Sequence, residues 1–181
     1  MISQLLVGVA FLFDVMSFQF KNRKHILHAI AGACFFMAAH FFLLEQWTAT
    51  LLMSISCIRY LVSGYTFDRR WMYFFLTLAA AGTVWTYVGL VSILSFGATA
   101  VLTMAAFSKT DKRLRQITFI GAPLWIIHNI IVGSPSAIAL ESFFFLSNVV
   151  GYYRYYIRPA AADPEAQFES GTNLKPQPET D

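Results

Sequence analysis

Two charged residues stand inside stretches that otherwise exclude charge: Asp14, within the apolar segment that opens the chain, and Arg59, within the third such segment. In an apolar surrounding a lone ion is costly, so such groups pair with one another, face a bundle interior or line a solute path. Asp14 and Arg59 each lie about twelve residues in from the same end of their segments, which makes them the natural ion pair of the chain. Ser56, Arg59 and Ser63 follow i, i+3, i+7 spacing and share one helical face. Glu141 and Asn148, seven apart, share a face of the last apolar segment. Trp125, His128 and Asn129 cluster on the sixth, and His40 occupies the corresponding place on the second. The chemistry these types offer is recognition: Asp14, Arg59 and Asn148 in a central layer, with His40, His128, Asn129 and Glu141 forming a vestibule above it. Trp125 offers a ring that stacks on a planar or sugar-like solute. Glu141 and His128 are the groups that could carry a coupling proton. For each there is a structural alternative, since an ion pair also braces helices and Asn side chains also glue them together.

The elements that hold these residues follow from composition. Of 181 residues, 57% are hydrophobic, 13% are charged and eighteen are Phe, with a mean hydropathy of +0.56. That is the signature of a chain embedded mostly in a bilayer. Seven apolar stretches can be drawn, at 2–19, 26–44, 48–67, 71–88, 90–107, 117–132 and 136–156, most of them near the length of about 20 residues that spans a hydrocarbon core. Gly89 divides the long apolar run between the fourth and fifth. The expected fold is therefore an all-α membrane protein with seven transmembrane helices.

Charge placement orients them. Lys21, Arg23 and Lys24, then Arg69 and Arg70, then Lys109, Lys112, Arg113 and Arg115, then Arg154 and Arg158 all fall in alternate connections, and the opposite connections carry no Lys or Arg. Because basic residues concentrate on the cytoplasmic side, the N-terminus is expected outside and the C-terminus inside.

Sliding the sequence by 89 residues superimposes Phe18 on Phe107, Arg23-Lys24 on Lys112-Arg113, Gly32-Ala33 on Gly121-Ala122, Phe36 on Trp125, His40 on Asn129 and Arg59 on Asn148. The expected domains are a three-helix repeat over 1–67, a linker helix over 68–89, a second repeat over 90–158 and a disordered cytoplasmic tail over 159–181, rich in Pro, Ala and acidic residues. One helix between two triplets restores the second to the direction of the first. The repeats are then parallel, as in SWEET-type transporters.

Several classes are excluded. The first segment lacks the basic n-region and cleavage site of a signal peptide. No HExxH, GxSxG, usable pair of catalytic carboxylates or glycine-rich phosphate loop is present, so neither an enzyme nor a cofactor is expected. Cys34 and Cys57 both lie within helices and read as small apolar side chains, with no metal or disulfide role. The basic residues are topology signals, so nucleic acid is not an expected partner. Lipid and a small solute are, and a homo-oligomer is compatible with the sequence.

The run from Ser17 to Lys24 (SFQFKNRK), the stretch from Trp125 to Ser134 (WIIHNIIVGS), and the ending from Glu141 through Ser147-Asn148 to Arg154 resemble the YgjV-type bacterial inner-membrane proteins, over roughly residues 1–157. Those in turn are distantly similar to the SWEET and PQ-loop (MtN3-like) transporter superfamily. The resemblance implies two three-helix bundles joined by a linker helix, in a bacterial inner membrane. It also implies carriage of sugars, vitamins or amino acids, with an asparagine on the third helix of each repeat lining the pocket. Asn148 matches that asparagine; Arg59 replaces it in the first repeat. The chain departs from the superfamily at the end of each first helix, where Phe18-Gln19 and Phe107-Ser108 stand in place of Pro-Gln. Pro123 is the one proline within a span. Arg59 also favours an anionic solute over a neutral sugar, unless Asp14 neutralises it. The expectation is a SWEET-like carrier of a small polar or anionic solute through a central cavity, the alternative being a non-transporting membrane scaffold or partner-binding protein.

Overall fold

A computed structural model describes residues 2–19 and 23–158. It contains seven α-helices: α1 (Ile2–Gln19), α2 (Arg23–Leu43), α3 (Trp47–Ser63), α4 (Arg69–Trp85), α5 (Leu90–Ala106), α6 (Asp111–Val132) and α7 (Pro135–Tyr152). A π-helical turn, Tyr153–Ile157, follows, and no strand occurs among the described residues. The tail expected over 159–181 lies outside them, as do Phe20, Lys21 and Asn22 of the basic run.

The breaks between helices have local causes. Gly89 adopts φ 107° and ψ −150°, a region open essentially to glycine alone, and so parts α4 from α5. Gly133, left-handed at φ 72°, ends α6, and Pro135 opens α7 at a position where a missing N–H costs nothing. Asp68 caps α4 by accepting from the Arg70 N–H at 2.9 Å.

Three boundaries differ from expectation. α6, expected to be the shortest, is the longest at 22 residues, because Thr110 caps it and an Asp111–Arg115 bridge of 2.8 Å extends it through a charged stretch that hydropathy reads as loop. α3 stops at Ser63, where the backbone turns through Gly64 and Tyr65, rather than running to 67. α7 gives way after Tyr152 to the π-helical turn, which docks on the start of α6 through Tyr156 Oη donating to Asp111 at 2.9 Å.

Six helices pack as a closed ring: α1 on α2, α2 on α3, α3 on α5, α5 on α6, α6 on α7 and α7 on α1. The remaining helix, α4, docks against α3 and α5, burying a narrow stripe of Phe75, Ala79 and Thr83 at intervals of four. Within the ring the core is rich in alanine, including Ala10, Ala31, Ala33, Ala98, Ala122 and Ala137, which lets the backbones approach closely. Two close approaches match. A Cβ added at Gly32 would lie 2.6 Å from the Phe13 ring, and one at Gly121 would lie 2.7 Å from the Leu102 side chain. One pair packs α2 onto α1 and the other packs α6 onto α5, and the two pairs are 89 residues apart in sequence.

The ring buries polar residues beside its apolar core and exposes many large apolar ones, unlike a water-soluble domain, whose buried positions are mostly apolar. On α3, Ser56, Arg59 and Ser63 are buried while Ile58 and Leu61 are exposed. On α5, Ser92, Ser95, Thr99 and Thr103 are buried and Ile93 is exposed; on α6, His128 and Asn129 are buried and Ile127 and Ile130 are exposed. By length and hydropathy together, one helix among the described residues, Lys24–Leu43 with mean hydropathy 1.9, is long and apolar enough to cross a membrane, while Ile2–Ser17 and Leu90–Ala106 are apolar but shorter.

Candidate functional site

At the centre of the ring is a cavity of about 50 Å³ whose wall draws on α1, α2, α3, α5, α6 and α7. Asp14, Arg59, Trp125 and Glu141, all singled out by type, line it together with Cys34, Ser56, Tyr60 and Leu102. Its size suits a few water molecules, each of which needs roughly 10–15 Å³ on this measure.

Arg59 is the most constrained group in the wall. Only 1% of it is exposed, its Nη1 donates to the Leu102 carbonyl at 2.7 Å, and its guanidinium sits 4.1 Å from the centre of the Tyr60 ring. The bond to α5 ties the third helix of the chain to the fifth. Its Nε has no partner, so the guanidinium keeps a free donor within a buried wall. Asp14 and Glu141, 4% and 7% exposed, complete the charged set. The expected Asp14–Arg59 ion pair does not form among the described residues: both groups face the cavity, but Arg59 turns to the Leu102 carbonyl and the Tyr60 ring instead.

Trp125, 1% exposed, is part of the wall. It stacks on Phe41 at 5.8 Å and presents an edge to His128 at 5.0 Å, separating the cavity from the polar residues beyond it. Those residues do not form the expected vestibule, because His40, His128 and Asn129 are fully buried. His40 is locked from both sides: its Nδ1 lies 2.9 Å from the Ser3 carbonyl and 2.8 Å from the Ser3 hydroxyl, and its Nε2 lies 2.9 Å from the Ser134 hydroxyl. A carbonyl can only accept, so in the neutral ring Nδ1 carries the proton and Nε2 accepts from Ser134. Ser134, the residue before α7, thereby spends its hydroxyl on α2 rather than on capping its own helix. Gln4 accepts from Ser136 beside it, and Phe11 meets Phe143 at 4.7 Å, so the α1–α7 seam is closed along this end. His128 donates from Nδ1 to the Val91 carbonyl at 3.2 Å and leaves Nε2 unpartnered, while both amide atoms of Asn129 lack a partner.

Two placements correct the layered expectation. Glu141 belongs with Asp14 and Arg59 rather than above them. Asn148 is off the cavity: its Nδ2 donates to the Arg115 carbonyl at 2.9 Å. The reason is the early start of α6, which puts the Arg115 backbone beside α7 where a loop was expected. Cys34, Tyr60 and the Leu102 carbonyl were not foreseen. Tyr60 had a signal in its adjacency to Arg59, whereas a backbone carbonyl and a cysteine read as apolar filler have none. Among the described residues no group of three or more His, Cys, Asp or Glu could hold a metal ion.

Comparison with known proteins follows the same outline. Residues 1–158 match the model of Imp-YgjV, described as a bacterial inner membrane protein family. The chain belongs to that family. It is 26% identical over 151 residues to the inner membrane protein YgjV of Escherichia coli (strain K12), covering 83% of this chain and 79% of that one. No solved structure matches significantly. As a member of the Imp-YgjV family the chain is a bacterial inner-membrane protein, which accounts for the many large apolar side chains on its exposed surface.

Proposed function

We propose that the protein is a multi-pass carrier with its N-terminus outside and its C-terminus in the cytoplasm, and that it moves a small polar or anionic solute through the central cavity. The observation that carries the reading is the cavity itself, a chamber on the axis of a six-helix ring with a buried guanidinium in its wall that retains a free donor. A barrier-crossing path needs polar groups sequestered from lipid, and intramembrane ionisable residues are the usual mark of one. Two parallel three-helix repeats with α4 as linker fit the ring, in which the α3–α5 contact and the α7–α1 contact are equivalent under the 89-residue offset. The paired Gly32–Phe13 and Gly121–Leu102 approaches support the same relation. The inward-facing polar residues and outward-facing isoleucines support embedding of all seven helices, including those whose average hydropathy is modest. No catalytic step is assigned to the site.

The cavity as it stands is far below the roughly 300 Å³ of a typical solute pocket, and the seam between α1 and α7 is closed by the Ser3–His40–Ser134 chain. On the carrier reading this is a closed state, and the halves must part at that seam. The same tight packing favours the second reading, a non-transporting membrane scaffold. Cys34 discriminates, because it lines the cavity and Cys57 is removed by substitution to Ser. A carrier exposes Cys34 to a small water-soluble thiol reagent in at least one state, whereas a scaffold leaves it unlabelled throughout. In parallel, a thermal-shift screen of the purified protein against organic acids, amino acids, vitamins and sugars should find stabilisation by a small anion, since a ligand that binds only the folded state stabilises it by mass action, by about 2.7 kcal/mol at a hundredfold excess over Kd. Arg59→Gln should abolish that shift. Stabilisation that survives Arg59→Gln removes the guanidinium from the site.

A further inference from the structure

The cavity wall carries an unequal charge. Among the groups that face it, α1 supplies Asp14, α3 supplies Arg59 and Tyr60, α2 supplies Cys34 and α7 supplies Glu141, while α5 and α6 present Leu102 and Trp125 and add nothing ionisable. The thiol and the phenol are neutral. With both carboxyls and the guanidinium ionised, the site holds one net negative charge on buried side chains, in a wall that is otherwise mostly apolar. No ion pair neutralises it locally, since Arg59 is engaged by the Leu102 carbonyl and the Tyr60 ring. An uncompensated buried charge is strongly unfavourable, and a single positive charge restores balance.

We infer that Asp14 and Glu141 together hold one exchangeable proton in the central cavity, with Arg59 the fixed charge that balances whichever carboxylate remains. A metal cation fits the wall less well. Among the described residues no group of three or more His, Cys, Asp or Glu is placed to hold a metal ion, and the Arg59 guanidinium in the same wall repels a second cation. His128, a candidate for proton coupling by type, is excluded from this role by its place behind Trp125. The proposal deepens the carrier reading, on whose cavity it rests: an anionic solute entering beside Arg59 takes up its positive charge, leaves the remaining carboxylate unbalanced and draws a second proton from water into the pair, so solute and proton move together.

The test needs no solute. Infrared spectra of the purified protein in lipid bilayers at neutral pH report a protonated carboxyl as a carbonyl-stretch band that shifts in heavy water. One such band is expected in the native protein. It should vanish in Asp14→Asn and equally in Glu141→Gln, because each variant leaves one carboxylate balanced by Arg59, and its intensity should double in Arg59→Gln. A native protein without the band overturns the proposal, as does a band lost in only one of the two carboxyl variants. A band that emerges only when sodium is replaced by a large organic cation also overturns it, in favour of a metal-ion site. Should the variants fail to fold, dicyclohexylcarbodiimide decides on the native protein, since it modifies protonated carboxyls in apolar surroundings. One adduct per molecule, on Asp14 or Glu141, is expected, and no adduct at either refutes the shared proton. A protein with the band whose Cys34 never labels keeps the proton and loses the carrier.

Discussion

Arg59 on α3 and Asn148 on α7 stand 89 residues apart, at matching places in the two proposed triplets, yet only Arg59 faces the cavity, while Asn148 holds the Arg115 carbonyl. The same contrast recurs one layer away: His40 has both ring nitrogens engaged across the α1–α7 seam, and its counterpart Asn129 has neither amide atom engaged. Steric features repeat where polar ones do not, as the Gly32–Phe13 and Gly121–Leu102 approaches indicate. The difference is physically reasonable. Close helix packing has the same requirement in both triplets, whereas each buried charge is costly and one set suffices for one cavity. The first triplet supplies Asp14 and Arg59, at positions where the second has Thr103 and Asn148; the second supplies Glu141 where the first has Leu52.

The largest effect expected from this asymmetry is at the seam. His40→Ala removes bonds to Ser3 and Ser134 and leaves a void, and should lower stability by about 2–3 kcal/mol. Asn129→Leu removes a buried amide that has no partner and should be neutral or stabilising, because an unmet donor and acceptor are lost along with it. Unfolding of the purified protein, by heat or by titrated denaturing detergent, compares the two. Equal losses would mean that Asn129 is engaged after all and that the triplets are alike in this layer.

Next come the glycines, where the triplets should agree. Gly32→Val and Gly121→Val each force a side chain into space held by Phe13 or Leu102, at a cost of about 2 kcal/mol, and the same unfolding measurement should find the two within a factor of two. A variant tolerated on one side alone would break the equivalence of the packing.

What could be read from the sequence follows the same division between steric pattern and polar contact. The seven helices, the break at Gly89 and the inward placement of Asp14 and Arg59 follow from hydropathy and from the rarity of charge in apolar stretches, whereas the sequence puts Glu141 a layer too high. The partner of Arg59 does not, because the Leu102 carbonyl is a backbone atom and every residue has one. The partner of Asn148 is hidden for a related reason: hydropathy cannot distinguish a polar loop from a polar first turn, and α6 begins with Asp111, Lys112 and Arg113 in helix. His40 was legible as a polar residue at the right level, but its burial depends on Ser134, 94 residues away.

The smallest predicted effect is at Asn148. Asn148→Ala gives up one interhelical hydrogen bond, for which membrane helices lose about 0.6–1 kcal/mol. Because the lost partner is a helical carbonyl that also sits in the backbone ladder of α6, no orphan is created. Stability should therefore fall slightly, while labelling of Cys34 and any solute-induced thermal shift stay at native levels. Arg59→Gln, at the matching position of the first triplet, should change both. If Asn148→Ala instead abolishes a solute effect, α7 must turn in another state to bring its asparagine to the cavity, and the two triplets share a binding position that the closed arrangement hides.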